Sequence, residues 1–157
     1  MKFGFLLDTS AFWHLTRNPE AMKAWEHYGA EGLFHISEPT RAEILCSAEN
    51  AAQRDEMAGI IDVLCEPAPV PKDGWRWVDA AQYKLTLKSQ HRGPGPIDLL
   101  IAATAVHHGL TVLHVDNDFV TIASVLSELR HLNDGLSCPD TAWRSCSTSY
   151  RPRSASR

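Results

Sequence analysis

The chain predicts an α/β domain with a mostly parallel central sheet flanked by helices on both faces. Three observations carry that expectation. Two short apolar runs, at residues 3–7 and 111–115, have strand length, and helical patterns fill the sequence between them. Each run is followed by an aspartate, Asp8 or Asp116, at the strand end where open α/β sheets place their sites. At 157 residues and 44% apolar content, the chain fits one domain and can bury a sizeable core.

The first run forms a strand, and Asp8-Thr9-Ser10 caps a short helix beginning at Ala11. Asn18-Pro19-Glu20 has the cap-then-proline form of a second helix start. Leu33-Phe34-His35-Ile36 reads as a second strand. Ser37-Glu38-Pro39 then opens a helix that carries Glu43, and Asn50 caps another running through Met57, Ile60, Ile61 and Leu64. Prolines 67, 69 and 71 exclude helix and suit an extended edge segment. Asp73 caps a long helix in which Trp75, Val78, Tyr83, Leu85 and Leu87 supply apolar content, while Arg76, Lys84 and Lys88 supply positive charge. His91-Arg92-Gly93-Pro94-Gly95-Pro96 is a flexible loop ending in a helix-start proline. The helix at 97–106 is apolar almost all round, so it belongs between other elements, and Gly109 stops it.

Composition narrows the class. No apolar stretch approaches the roughly 20 residues of a membrane-crossing helix, and the N-terminus runs straight into a strand, so a cytoplasmic protein is expected. Cys46, Cys65, Cys138 and Cys146 form no Cys-x-x-Cys pair and have no zinc-ligand spacing with histidine. The net charge of -4 is uneven: residues 141–157 hold Arg144, Arg151, Arg153 and Arg157 and no acid, leaving 11 basic against 19 acidic residues, or -8, in the first 140. That body is unlike a typical nucleic-acid binder, so a phosphate substrate needs bound metal and a local basic strip. We expect one domain over residues 1–135 and a flexible Ser/Arg-rich tail over 136–157.

Asp8, Glu43, Asp98 and Asp116 are the residues whose placement points to chemistry. Singly, each has an ordinary explanation. Asp8 suits a helix cap, Asp98 sits in a helix's first turn where the macrodipole favours an anion, and Asp116-Asn117-Asp118 suits a turn. Glu43 could face solvent beside Arg41. Jointly, carboxylates gathered at the ends of buried elements are costly without a compensating cation, and oxygen donors suit a hard divalent ion. His107 and His108 precede a helix-ending glycine and read as dipole-complementing surface residues, so no histidine is required for the chemistry. Trp13 lies close enough to the first motif to line a cleft, with core packing as its default role.

The pieces carrying these acids resemble PIN-domain ribonucleases, and more narrowly the VapC-type toxins of bacterial type II toxin–antitoxin pairs. They are Leu6-Leu7-Asp8-Thr9-Ser10-Ala11, Pro39-Thr40-Arg41-Ala42-Glu43-Ile44, Pro96-Ile97-Asp98-Leu99-Leu100-Ile101-Ala102-Ala103-Thr104-Ala105, and Leu113-His114-Val115-Asp116-Asn117-Asp118-Phe119 with Ile122-Ala123. The resemblance spans about residues 2–125 and implies a PIN-like three-layer sandwich. It implies a catalytic quartet of Asp8, Glu43, Asp98 and Asp116, of which Asp8, Asp98 and Asp116 bind Mg²⁺ or Mn²⁺. Thr9, Ser10 and Asp118 would be auxiliary. It also implies an RNA substrate, a cognate antitoxin and a homodimer.

Arg76, Lys84, Lys88 and Arg92 are the candidate RNA contacts: Lys84 and Lys88, four apart on a helix, mildly repel, and a phosphate track would explain the pairing, with a solvated helix face as the ordinary reading. A structure-specific DNA nuclease of the same fold and a catalytically silent binding module are the competing readings. A haloacid-dehalogenase-like phosphatase is excluded because Ser10 stands where its second aspartate belongs.

Overall fold

The computed structural model describes residues 3–133. The first half comprises β1 (Phe5–Leu7), α1 (Thr9–Arg17), α2 (Pro19–Ala30), β2 (Phe34–Ile36), α3 (Glu38–Cys46) and α4 (Ala51–Leu64). It continues with β3 (Glu66–Pro67), α5 (Gly74–Leu87), α6 (Pro96–His108), β4 (Thr111–His114), α7 (Asp118–Val125) and β5 (His131–Asn133). The strands form one sheet in the order β3-β2-β1-β4-β5, and every pairing is parallel.

Alternation along the strands divides the interior into two cores, one on each sheet face. Phe5, Leu7 and Leu113 pack with Ala11, Phe12, Leu15, Trp25 and Ile44 from the α1–α4 side. Leu6 and Val112 turn the other way, toward Val78, Leu85, Leu99, Ile101 and Phe119 from α5, α6 and α7. The result is the three-layer α/β sandwich expected from the sequence.

Local chemistry explains most boundaries. Asn18 accepts from the Glu20 and Ala21 amides at 3.1 and 3.2 Å, with Pro19 opening α2, and Asn50 accepts from the Gln53 amide at 2.9 Å. Gly109 ends α6 with φ of +68°, a left-handed conformation that favours glycine. α6 is buried from Leu99 through Ala105, as its uniform apolar sequence requires.

The structure refines the α5 face, corrects two expectations and adds a strand. Trp75, Tyr83 and Leu87 are 58%, 68% and 67% exposed, because only the Val78, Ala81 and Leu85 stripe of α5 faces the core. Asp73 precedes α5 without a side-chain capping bond. β4 ends at His114, one residue early, because the Val115 amide turns to the Ser10 hydroxyl instead of continuing the ladder. β5 was not anticipated: it is three residues long, half-buried and polar at both ends, and tertiary pairing to β4 alone defines it. The tail at 136–157, with Cys138 and Cys146, lies outside the described residues, as does the expected domain boundary.

The α1–α4 core turns on Trp25, whose ring meets Phe5 at 5.1 Å, Tyr28 at 5.3 Å and Phe34 at 6.2 Å between centroids. It is 1% exposed. Trp25→Ala should therefore cost about 3–5 kcal/mol, read as a lower urea midpoint with an unchanged slope.

Candidate active site

β1 and β4 lie side by side at the point where the strand order reverses, and this crevice outside their carboxyl ends is where doubly wound sheets bind ligands. Asp8 leaves β1 there and Asp116 lies two residues beyond β4. The segments carrying them are tied together. The Asp8 amide donates to the Leu113 carbonyl at 3.0 Å, and the Val115 amide donates to Ser10 Oγ at 3.1 Å. Ser10 Oγ in turn donates to Asp8 Oδ2 at 2.7 Å, while the Ser10 amide reaches the same oxygen at 3.1 Å. Asp8 is thus the α1 cap and also lies within the acidic group.

α6 brings Asp98 to this edge with its first turn. Asp98 Oδ2 accepts from the Gly95 amide at 2.7 Å, which fixes the carboxylate over the helix start. Asp116 Oδ1 accepts from the Asp118 amide at 3.0 Å. Glu43, exposed on α3, joins through Thr9, whose Oγ1 donates to Glu43 Oε2 at 2.5 Å.

The acids feel one another. Burial raises the pKa of Asp98 to about 6, and the charges of Asp118, Asp8 and Asp116 add to the rise against the Gly95 bond. Burial also raises Asp8, opposed by its bonds from Ser10 and assisted by Asp116. Asp118 is raised by burial and then by Asp116. No basic side chain is among the causes of these three shifts. The structure therefore gathers Asp8, Asp98, Asp116 and Asp118 without a cationic side chain to offset these shifts among the described residues.

Among the described residues, no three His, Cys, Asp or Glu side chains converge closely enough to hold a metal ion as they stand. Like charges repel, and each carboxylate takes a donor from nearby, Ser10, Gly95, Asp118 or Thr9. The donor set still fits a divalent cation, since all four acids offer hard oxygens and the repulsion among the aspartates is what a cation would relieve.

The basic residues fall elsewhere. Arg76, Lys84 and Lys88 follow one another along exposed α5 and its C-terminus, and Arg92 lies in the following loop; none has an acidic partner among the described residues. That loop borders the acids: a Cβ on Gly93 would stand 3.9 Å from Asp118 Oδ1. Trp13 is half-buried against the α1–α4 core with the Arg17 guanidinium 4.2 Å from its ring centroid. His107 is exposed, and His108 Nε2 lies 2.8 Å from the Pro69 carbonyl, both in the last turn of α6.

The sequence reading missed a histidine pair. His114 is fully buried, with Nδ1 2.7 Å from the Asp116 carbonyl and Nε2 2.9 Å from Nδ1 of His131. Burial lowers the pKa of both rings, and His131 lowers His114 further, so both are neutral at pH 7. The available signal was a polar side chain between Leu113 and Val115 in an apolar strand, since a buried polar group demands partners.

An acidic cluster thus lies at the switch point of a parallel α/β sheet. The family model for the PIN domain matches residues 5–125, and the chain belongs to that family. It is 40% identical over 93 residues to Ribonuclease VapC6 of Mycobacterium tuberculosis, spanning 59% of this chain and 73% of that protein. With Ribonuclease VapC21 of the same species it shares 49% identity over 123 residues, 77% of this chain and 87% of the relative. The fold is similar to that of VapBC2 from Rickettsia felis bound to a promoter DNA fragment, with a TM-score of 0.68 at 16% identity, covering 84% of this chain and 98% of the other. Among the described residues no helix is long and apolar enough to cross a membrane.

Proposed function

We propose that this chain is a metal-dependent endoribonuclease acting as the toxin of a toxin–antitoxin pair. The observation that carries the reading is the convergence of Asp8, Asp98 and Asp116 at the switch point with no basic side chain among the described residues shifting Asp8 or Asp98. Similarity to ribonucleases of the VapC group supports RNA as the substrate.

In this reading Asp8, Asp98 and Asp116 hold Mg²⁺ or Mn²⁺, with Glu43 completing the catalytic quartet and Asp118 beside it. Once bound, the cation supplies an acidified water and neutralises charge building on the phosphoryl oxygens. Ser10 holds Asp8 at the end of β1 and ties it to β4; Thr9 orients Glu43. The acidic group repels phosphate until the cation is present, which couples RNA binding to metal loading.

Arg76, Lys84, Lys88 and Arg92 form the RNA track, running along α5 toward the loop beside Asp118. Exposed Trp75 and Tyr83 lie on the same helix and offer faces on which bases can stack. Replacing Lys84 and Lys88 together by Ala should weaken RNA binding and reduce the slope of log K against log salt by about 0.7 per lost contact, with the Mn²⁺ affinity unchanged. An unaltered salt slope in filter-binding measurements would remove these lysines from the interface.

The partners follow the same reading: an antitoxin whose basic segment meets the acidic centre, and a second copy of the chain. VapBC2, similar in fold, is bound to a DNA fragment from its promoter, and VapBC-5 of Mycobacterium tuberculosis is a member of the VapBC family of toxin-antitoxin systems. Residues 1–135 form the nuclease domain, with 136–157 as an appended tail in the cytoplasmic protein. Incubating the purified chain with structured RNA and Mg²⁺, and in parallel with flap DNA, tests the substrate. RNA cleavage abolished by chelator is expected; cutting of flap DNA alone would overturn the assignment.

A further inference from the structure

We propose that His114 is a positioning residue for the acidic centre: its Nδ1–H holds the Asp116 backbone carbonyl, and His131 sets the tautomer that makes this possible. The inference rests on the reading of Asp116 as part of a cation site. A carbonyl oxygen only accepts, so the 2.7 Å contact places the proton on His114 Nδ1. The neutral ring then has a bare Nε2, which is fully buried and needs a donor. His131 Nδ1, 2.9 Å away, supplies it. The direction of the chain is thereby fixed: His131 Nδ1–H to His114 Nε2, then His114 Nδ1–H to Asp116.

Geometry makes this more than the satisfaction of one buried polar group. The ladder between β1 and β4 ends at the Leu7–Leu113 pair and β4 itself at His114, yet Asp116 lies two residues further on. The Leu113 carbonyl is held by the Asp8 amide, and the Val115 amide by Ser10 Oγ. The Asp116 carbonyl is the next backbone group of this segment to be tied down, and His114 holds it. The Asp118 amide grips the Asp116 carboxylate from the turn side at 3.0 Å. Asp116 is thus clamped by its backbone and by its side chain, with β5 contributing through His131. The Phe119 ring, 5.2 Å from the His114 ring, closes the pocket and keeps the imidazole in place. Partners that orient metal-binding groups in this way are worth about 10–100-fold in affinity.

The two amide isosteres of histidine separate positioning from packing. An Asn amide at 114 overlays Nδ1 and can still donate to Asp116, whereas a Gln amide overlays Nε2 and reaches only toward His131. Titrating Mn²⁺ into the full chain by calorimetry should show His114→Asn within about threefold of the parent and His114→Gln weakened about 10–100-fold. Long-range ¹H–¹⁵N spectra of the unsubstituted chain should show His114 protonated at Nδ1, and His131→Phe, which takes away the donor to Nε2, should weaken that preference. Equal affinities of the Asn and Gln variants, or an Nε2–H tautomer in the parent, would overturn the proposal. Should His114→Gln fail to fold, the tautomer spectra and His131→Phe decide. Asp98→Asn separates the two levels: Mn²⁺ binding that survives it removes the acidic-centre reading itself. Binding lost in Asp98→Asn but undiminished in His114→Gln removes only the positioning role.

Discussion

Asp98→Asn should abolish RNA cleavage while leaving a more stable metal-free protein. Asn retains the oxygen that accepts from the Gly95 amide at 2.7 Å, so the start of α6 keeps its bond. What disappears is a charge that burial and three neighbouring aspartates hold at a pKa of about 6. At pH 7 the folded chain must ionise Asp98 against that resistance, whereas the unfolded chain does so freely. Each pKa unit corresponds to about 1.4 kcal/mol; solvent screening at this half-buried position reduces the expected gain to about 1 kcal/mol. The gain should vanish below about pH 4, where the carboxyl is protonated in both states of the parent. Turnover, by contrast, should fall by about 10³-fold, because a group that supports charge development in the transition state is gone. Melting curves at pH 4 and 7.5, alongside single-turnover cleavage, check both halves. Normal turnover in a metal titration would remove Asp98 from the catalytic quartet.

Asp8, Asp98 and Asp116 were visible in the sequence because each follows or opens an element with a strong local signature: apolar strands of three and four residues, and a proline-started buried helix. The alternation of strands and helices indicated a mostly parallel sheet, whereas the strand order that sets β1 beside β4 and brings the acids to one edge comes from the tertiary fold. Local signatures could not reveal β5, whose sequence His-Leu-Asn carries no strand pattern and becomes a strand only by pairing with β4. Without β5, the partner that makes His114 informative was invisible as well.

The α5 helix shows the same limit in another form. Its apolar residues were countable in sequence, but the choice of which stripe faces inward is tertiary: Val78, Ala81 and Leu85 are buried against α6, leaving Trp75, Tyr83 and Leu87 outside. Glu43 lies between these cases. Its helix was predictable from Ser37-Glu38-Pro39, whereas its link to the centre through the Thr9 hydroxyl depends on how α1 and α3 pack.

Divalent cation should stabilise the folded chain strongly at pH 7.5 and hardly at all near pH 5. In the metal-free protein Asp8, Asp98 and Asp118 all have raised pKa values, so the folded state binds more protons than the unfolded state between about pH 4 and 6. Stability of the metal-free chain therefore falls as pH rises through that window. A cation acts on the same oxygens with the opposite preference, since it binds the deprotonated carboxylates of the folded site. At a hundred times its dissociation constant it contributes about 2.7 kcal/mol, which for a chain of this size raises Tm by about 5–10 °C. As pH drops through about 6, Asp98 takes up its proton and competes with the cation, so the rise in Tm should shrink. Chelator added at pH 7.5 should return the melting curve to that of the metal-free chain, and Asp98→Asn should show little response to the cation at either pH. The comparison is internal: a cation bound at surface acids with ordinary pKa values would shift Tm equally at pH 5.5 and 7.5. Only a site whose carboxylates resist ionisation loses the effect across that interval, so an equal shift at both values would place the cation away from the switch point.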